Sequence, residues 1–512
     1  MLFTEPVFLF LFLPVLLALY FAPNVLVRRP ASARATAVSE GGSFSEGGSV
    51  PRRPAPHEHA SYANWLLLVA SVVFYATGGG SFTWLMLGSI AFNYWMANAI
   101  DRARDAPARA GRLLAAAVAV NLVVLGSFKY ANFFADNANT VFRAAGLPVL
   151  EVPRVLLPIG ISFFTFHAIS YVVDVHRRDA SAQKSPVHAA LYLLLFPQLI
   201  AGPIIRYRDI ADQLARRTVG LDDFACGVRR FVIGLGKKVL IANIVAVPAD
   251  KIFAMPSGQL SAGHAWLAVT CYTLQIYFDF SGYSDMAIGL GRMFGFRFPE
   301  NFRWPYVAGT VQEFWRRWHI SLSTWFRDYL YVPLGGSRVS SPRMYCNLVT
   351  VFFLCGLWHG ASWSFVVWGL FHGTFLVVER LGLAAAVRRL WAPLRHAYFL
   401  LVVAIGWVFF RADTLGSAAA FLKAMFGFGM AAPTEFSVSW YLTPALWLAL
   451  AAGALGSAPL VPWFARWRHQ TPAASRAWSL DAAAIAALSL ILAASILQIA
   501  ARSYNPFIYF RF

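Results

Sequence analysis

The chain has 512 residues, of which 58% are hydrophobic and 13% are charged, and its mean hydropathy is +0.56. Soluble globular proteins contain about 45–50% apolar and about 25% charged residues, so this composition excludes a disordered chain, a coiled coil and an ordinary cytosolic enzyme. The net charge of +19 would indicate nucleic-acid binding in a soluble chain, but a polytopic membrane protein gains it from basic cytoplasmic loops.

The first apolar run covers residues 7–27 and is followed by two arginines. A signal peptide would begin with basic residues and end at a small-residue cleavage site, so we expect a retained spanning helix whose basic end lies in the cytoplasm. Residues 28–62 are rich in Ser, Gly, Pro and Arg, which predicts a flexible low-complexity loop. We expect His57 and His59 of this loop to be solvated.

Twelve further apolar runs follow, which predicts about 11–12 hydrophobic helices in one polytopic domain over residues 1–512. Several runs are shorter than the roughly 20 residues of a straight span, so we expect re-entrant segments or helices buried among other helices. The runs cover residues 64–77, 83–100, 113–134, 155–175, 187–204, 225–247, 263–280, 344–358, 363–378, 397–410, 440–457 and 481–500.

The distribution of basic residues predicts the orientation of these runs. Run 187–204 contains helix-breaking Pro and Gly residues and has basic residues on both sides, so we interpret it as re-entrant. Residues 281–343 are interpreted as one region on the cytoplasmic side. With these assignments, 31 of the 43 Lys and Arg residues lie in cytoplasmic loops and 7 in loops on the other side. This bias indicates membrane orientation rather than a nucleic-acid partner.

The region 281–343 is dense in aromatic residues, so we expect it to fold against the membrane domain. At helical spacing, Glu313 to Tyr331 forms an amphipathic helix with its aromatic residues in one arc and Arg316 and Arg327 opposite. His319 lies at the border of the arc. From periodicity alone, an interfacial helix with a histidine at its edge explains this pattern.

A second histidine, His359, lies in a break between two short apolar runs, with Gly356 and Gly360 on either side. Ionisable groups at membrane depth are uncommon and often functional, and glycine allows another backbone or a ligand to approach closely. A core histidine that is hydrogen-bonded to a carbonyl is the alternative, and we favour that structural role for His167 and His372.

Other chemistry has less support in the sequence. The chain contains no zinc-type histidine or cysteine array, no Walker A motif and no Gly-x-Ser-x-Gly motif. The four cysteines lie in or beside apolar stretches, which favours packing over disulfide or metal roles. They are Cys226, Cys271, Cys346 and Cys355.

Several long motifs resemble the signature of the membrane-bound O-acyltransferase family, and more narrowly its bacterial alginate O-acetyltransferase branch. The longest is EFWRRWHISLSTWFRDYLYVPLGG at residues 313–336. The others are LPIGISF at 157–163, FPQLIAGP at 196–203, YFDFSGYSDM at 277–286 and LWHGASW at 357–363. The resemblance extends from the first helix to about residue 415, and the segment 30–60 looks like an insertion in the family's short first loop.

This resemblance implies transfer of an acyl group from a thioester to a hydroxyl acceptor, within a helical membrane domain whose thin centre contains a tunnel. The most invariant histidine of the family matches His359, and a second functional position matches His319. We expect His359 to be the general base and His319 to orient the acceptor or stabilise the oxyanion, although the two roles are interchangeable at this point.

Further residues are candidates for substrate binding. Arg316 and Arg317, like Arg327, are candidates for contacts with donor phosphates, with positive-inside anchoring as the alternative. Asp279 and Asp285 either orient a histidine or make helix-end hydrogen bonds. Because Lys237 and Lys238 lie inside an apolar run, we expect at least one of them to face protein or water. The remaining candidates are Trp315, Trp318 and Ser281.

The expected activity is transfer of acetyl from acetyl-CoA, as substrate, to an extracytoplasmic alginate-like polysaccharide at the bacterial inner membrane. We expect no bound cofactor or metal, and the resemblance implies an extracytoplasmic acetyltransferase as partner besides the lipid bilayer. The alternatives are D-alanyl transfer, acetylation of peptidoglycan or cellulose, and a transporter without chemistry. A transporter would often show inverted repeats, and none is visible by eye.

Overall fold

The computed structural model describes residues 1–26, 56–429, 436–460 and 474–501. Within these ranges the regular structure is helical, without β-strands, so the predicted all-α polytopic class is confirmed. The α-helices are α1 (Leu13–Leu26), α2 (Pro56–Gly79), α3 (Phe82–Arg102), α4 (Pro107–Ala144), α5 (Ile161–Arg177), α6 (Pro186–Leu194), α7 (Phe196–Leu199), α8 (Tyr207–Ala215), α9 (Leu221–Gly236), α10 (Asn243–Phe253), α11 (Ala262–Met293), α12 (Val311–Arg317), α13 (Ile320–Phe326), α14 (Ser341–His359), α15 (Trp363–Val378), α16 (Ala384–Arg389), α17 (Ala392–Arg411), α18 (Leu415–Met425), α19 (Val438–Tyr441), α20 (Pro444–Gly456) and α21 (Ala474–Ala501).

Short non-α segments connect or extend several of these helices. The π-helical segments are Phe8–Phe12, Lys237–Ala242, Arg327–Tyr331 and Glu379–Leu383, and the 3₁₀ turns are Ser257–Gln259 and Pro305–Val307. Because the segment at 237–242 joins α9 to α10, these three elements form one continuous rod.

Six segments of the described chain are long and apolar enough to cross a membrane. They are Ser61–Gly79, Pro107–Ala144, Leu221–Phe253, Trp363–Arg389, Ala392–Arg411 and Leu480–Ala501. Other apolar runs form shorter helices or helices that are buried inside the protein. The predicted interruption of run 187–204 is confirmed, since α6 ends at Leu194 and α7 has only four residues.

Two predicted boundaries are wrong. Residues 281–343 do not begin a separate region, because α11 continues through residue 281 to Met293 and buries most of this extension. The loop predicted at 28–62 ends earlier than expected, since α2 begins at Pro56. Residues 27–55, which carry the rest of that loop, lie outside the described residues, as do the side chains of His57 and His59.

The single helix predicted from Glu313 to Tyr331 is also wrong. The chain forms α12 and α13, and between them Trp318 is extended and His319 has a φ of 43°. The broken turn makes its hydrogen bonds with a neighbouring coil instead, from Ile320 N–H to the Asn301 carbonyl at 2.9 Å and from Arg303 N–H to the Arg317 carbonyl at 2.9 Å. Periodicity cannot detect this exchange of partners, because the aromatic residues on both sides of the break remain buried.

Helices α9 and α11 pack backbone against backbone at two pairs of glycines. A methyl group at Gly234 would lie 2.6 Å from the carbonyl oxygen of Gly282, and one at Gly227 would lie 2.7 Å from that of Gly289. Small residues allow this close approach, which is a common way for membrane helices to associate. The contact fixes α11, which carries Asp279, Ser281 and Asp285.

We expect Gly234→Ala to destabilise the protein and Gly126→Ala to leave it unchanged or slightly more stable. The first methyl group meets backbone atoms, whereas the second, on α4, has no atom within 4 Å. Overpacking costs about 1–3 kcal/mol, and alanine in an open helical position gains about 0.5–1 kcal/mol over glycine. Thermal unfolding of both variants in the same detergent tests this, and equal shifts of the melting temperature would contradict it.

Candidate active site

His319 lies in the break between α12 and α13, almost completely buried. A left-handed conformation costs a non-glycine residue about 1–2 kcal/mol, and such strain is often found at functional sites. The ring packs edge-on against Phe280 at a centroid distance of 4.6 Å. The break thus directs a polar ring into an aromatic surrounding.

The side chain of Asn301 determines the tautomer of His319. The backbone N–H of Ser321 can only donate, and it faces Asn301 Oδ1 at 3.3 Å, so this amide atom is the acceptor. His319 Nδ1 lies 3.0 Å from the same oxygen and must therefore carry the hydrogen. The amino group of the same side-chain amide, Asn301 Nδ2, donates a hydrogen bond to Ser284 Oγ at 2.9 Å.

It follows that neutral His319 presents a lone pair at Nε2. This nitrogen is buried and has no hydrogen-bond partner among the described residues. A base whose other nitrogen is held by an orienting acceptor is the arrangement required of a general base. Sequence reasoning missed Asn301, since a single asparagine in a coil gives no periodic or motif signal.

His359 is the last residue of α14, and α15 begins four residues later, so the predicted break is confirmed. Close packing at both neighbouring glycines is also confirmed. A methyl group at Gly356 would lie 2.3 Å from the Phe365 carbonyl oxygen, and one at Gly360 would lie 2.2 Å from the Phe365 ring. The Nδ1 atom of His359 is buried and has no partner among the described residues, so protein contacts do not fix its tautomer.

The indole of Trp358 lies near both histidines. Its centroid is 4.9 Å from that of His359 and 6.3 Å from that of His319. Phe166 stacks on the same indole at 5.2 Å. The structure therefore brings the two histidines of distant motifs to one aromatic cluster.

Two cavities lie at or near this cluster, and they have no lining residue in common. One, of about 190 Å³, is mostly apolar and is lined by Trp315 and Cys355 among others. The other, of about 130 Å³, is lined by His359, Trp358 and Lys129. Trp368 links the two linings, with centroids 5.7 Å from Trp315 and 5.0 Å from His359. The tunnel that the sequence resemblance implies stays a prediction, because the two cavities are separate and share no lining residue.

Arg316 and Arg317 line a third, larger cavity of about 620 Å³ on the predicted cytoplasmic side. Its lining contains five arginines and the carboxylate of Glu313, and the other three arginines are Arg303, Arg388 and Arg395. Burial favours the neutral acid, but hydrogen bonds from the Gly309 N–H and Arg317 hold the pKa of Glu313 below its usual value. The cavity therefore has an excess of positive charge.

The other candidate residues have packing or pairing contacts. Trp318 packs against Phe302 and Trp407, at centroid distances of 5.1 and 5.0 Å. Arg327 is largely exposed and bonds to Asp328 at 2.7 Å. The buried hydroxyl of Ser281 has no partner among the described residues.

Asp279 and Asp285 lie well inside α11, so their interpretation as helix-end groups is wrong. Asp279 pairs with Lys238, and both side chains are almost fully buried. Asp285 pairs with Lys237 at 2.6 Å and with Arg230 at 2.8 Å. Both Lys237 and Lys238 therefore face protein groups, which confirms the expectation that at least one of them does.

His167 and His372 are buried outside the pair, as expected of core histidines. His167 Nε2 accepts a hydrogen bond from the Ile205 N–H at 3.3 Å. His372 packs against Trp315 and Trp368, and neither of its ring nitrogens has a partner within the described chain. The four cysteines are free, and the described residues contain no cluster of three or more potential metal ligands.

Comparison with known proteins identifies the family. A sequence profile of the membrane-bound O-acyltransferase family matches residues 120–411, which is more than half of the chain. The chain belongs to this family. It is also 41% identical to the probable alginate O-acetylase AlgI of Azotobacter vinelandii over the full length of both proteins.

More distant relatives share the acyl-transfer chemistry. The chain is 35% identical to the peptidoglycan O-acetyltransferase of Helicobacter pylori, over 83% of this chain and 80% of the relative. It is 29% identical to the teichoic acid D-alanyltransferase of Bacillus subtilis, over 43% of this chain and 58% of the relative. The protein is therefore an O-acyltransferase, and a transporter without chemistry is excluded.

We expect Asn301→Ala to lower kcat for acyl transfer by about 10²-fold or more, because His319 loses the acceptor that fixes its tautomer. Asn301→Asp keeps an acceptor at this position and should retain more activity than the alanine variant. Ser284→Ala is the matched control, since it removes only the partner of Nδ2. The hypothesis fails if Ser284→Ala and Asn301→Ala lower kcat equally at the same protein level.

Proposed function

We propose that this O-acyltransferase takes acetyl from acetyl-CoA on the cytoplasmic side of the bacterial inner membrane and delivers it for O-acetylation of an extracytoplasmic polysaccharide of the alginate kind. The observation that carries the proposal is the histidine pair at one aromatic cluster, with one cavity lined by His359 and a second, apolar cavity lined by Trp315 and Cys355 nearby. The names of the full-length relatives support alginate as acceptor. An extracytoplasmic acetyltransferase as partner belongs to the same proposal.

The basic cavity fits the phosphate-bearing end of the donor. Coenzyme A carries its phosphates at the end opposite to the thioester, and arginine binds phosphate through bidentate hydrogen bonds. Five arginines against one carboxylate supply the charge that such a ligand needs. Since Arg316 and Arg388 form no ion pair among the described residues, their guanidinium groups are available for phosphate oxygens.

The apolar cavity supplies a route for the thioester arm. It shares Gln312 and Arg316 with the basic cavity, and its other end reaches Cys355, one helical turn before His359. Its mostly apolar lining suits the flexible arm and the acyl group, while the charged end of the donor remains among the arginines. This arrangement supports delivery of the thioester carbon to the histidines.

The hydrogen bonds at His319 favour this residue as the general base, which is the reverse of the assignment first expected. Its Nε2 lone pair is able to take the acceptor's hydroxyl proton, but in this tautomer it has no hydrogen to donate to an oxyanion. His359 has no fixed tautomer, so a ring N–H is available to stabilise the oxyanion. The proton on His319 then goes to the departing thiolate.

We expect His319→Ala and His319→Gln to abolish transfer alike, because neither side chain is a base. His359→Gln retains an N–H donor and should keep measurable activity, whereas His359→Ala should lose about 10²–10³-fold in kcat. The measurement is release of free CoA from acetyl-CoA by purified protein. Loss of activity in His359→Gln together with retention in His319→Gln would return the base role to His359. Absence of CoA release by wild type would contradict the proposed donor.

The acceptor is tested in the same preparations. Acetyl transfer to alginate oligosaccharides, in the presence of periplasmic extract, is compared with transfer to peptidoglycan and to cellulose fragments. Preferential acetylation of alginate supports the proposal. Preference for either of the other two polymers, or transfer of D-alanine from a carrier protein instead, would contradict it.

We expect the double variant Arg316→Gln/Arg388→Gln to raise the KM for acetyl-CoA by about 10²–10⁴-fold, at little change in kcat, since it removes at least two charged hydrogen bonds and each contributes about 1.5–3 kcal/mol. Acetyl-pantetheine carries the thioester without the nucleotide phosphates, so its KM should not respond. Arg102→Gln, an exposed substitution at the end of α3, is the control. Equal effects on both donors would show that the cavity does not bind phosphates.

A further inference from the structure

A lysine with no role in the mechanism so far lies beside the histidine pair. Lys129 is on α4, is buried, and donates hydrogen bonds to the Ser162 hydroxyl at 3.1 Å and to the Trp358 carbonyl. No carboxylate in the described part of the chain pairs with it. An isolated ammonium group is costly at membrane depth, and such residues are usually functional.

A purely structural role does not account for the charge. The neighbouring residue Tyr130 donates to the Leu357 carbonyl at 2.7 Å, so two successive residues of α4 hold the last carbonyls of α14. A cation is favourable at the C-terminal end of a helix. However, Tyr130 makes the same kind of contact with a neutral hydroxyl, so holding the helix end does not require a charge.

The cavity beside Lys129 provides space for a ligand of the ammonium group. Lys129 and His359 are the titratable residues in its lining, together with Ser162 and Trp358. With a volume of about 130 Å³, the cavity has room for an acetyl group and a few water molecules. An ammonium group has three N–H donors, and two of them have partners in the structure.

We propose that the ammonium group of Lys129, together with a ring N–H of His359, binds the carbonyl oxygen of the acyl group and stabilises the oxyanion of the tetrahedral intermediate. This inference rests on the proposed function for the identity of the acyl donor. It assigns Lys129 as a catalytic residue, and it makes the cavity lined by residues 157–163 the site of the acyl group.

The reaction step balances with these groups. The acceptor oxygen attacks the acyl carbon and forms a C–O bond, the hydroxyl proton moves to His319 Nε2, and the carbonyl π electrons move to oxygen, facing Lys129. The intermediate then re-forms the C=O bond and breaks the C–S bond, and the sulfur takes the proton from His319. Negative charge exists on the oxygen only between these two events, so a preorganised cation there lowers the barrier more than it strengthens substrate binding.

The decisive comparison is between Lys129→Gln and Lys129→Met. Glutamine keeps a donor for the Trp358 carbonyl but lacks the charge, and methionine lacks both. If the charge acts in catalysis, both variants lose about 10²–10³-fold in kcat with KM for the donor changed less than threefold, and Lys129→Arg recovers part of kcat. If Lys129 only holds α14, Lys129→Gln keeps nearly full activity, and the proposal is wrong.

Tyr130→Phe is the control, because it removes the neighbouring hydrogen bond to the same helix end without changing any charge. The proposal requires that it lower kcat far less than Lys129→Gln. Protein level and melting temperature are measured for every variant, and the glutamine variant remains informative if the methionine variant does not accumulate.

A second readout separates this inference from the proposed donor. Alkali-released acetate from the polysaccharide of cells that express each variant reports transfer without assuming acetyl-CoA. If wild type acetylates in cells but purified protein releases no CoA from acetyl-CoA, the proposed donor fails while the ranking of the Lys129 variants still tests the inference. If wild type is active in both assays and Lys129→Gln matches it, only the inference fails.

Discussion

The carboxamide of Asn301 is the contact on which the candidate site depends. Its oxygen Oδ1 accepts hydrogen bonds from His319 and from the backbone N–H and the hydroxyl of Ser321. The backbone carbonyl of Asn301 accepts a further hydrogen bond from the Ile320 N–H. These bonds replace the helical hydrogen bonds that are lost where α12 and α13 separate. They offset the free-energy cost of the left-handed backbone conformation at His319 inside an apolar domain. Asn301 therefore stabilises the non-helical turn between α12 and α13.

Buried charge in the rest of the domain follows the same requirement for partners. Lys238 and Asp279 neutralise each other, and Lys237 and Arg230 share Asp285, all within the packed pair of α9 and α11. Lys129 differs from these groups, because its partners are a hydroxyl and a carbonyl. Lys238, the other buried lysine of the described residues, has a carboxylate partner. The lack of one at Lys129 is the mark of a charged group with a role beyond folding.

The sequence predicted the helical class, the family and the two histidines, because hydrophobic runs and long motifs are local properties. It did not predict that the aromatic segment around His319 breaks, since helical spacing places Phe314, Trp318 and Trp325 equally well in one helix or two. Asn301 and Lys129 were missed for a related reason. Each acts through partners far away in the chain, with Lys129 bonded to a residue more than two hundred positions later, and no local pattern encodes such a contact.

The length of α4 links His359 to the exterior of the protein. At 1.5 Å per residue, its 38 residues extend about 57 Å, well beyond a hydrocarbon core of about 30 Å. Lys129 and Tyr130 attach the middle of this rod to the end of α14. Through these two hydrogen bonds, one long helix contributes both to the outer surface of the protein and to the position of the backbone next to His359.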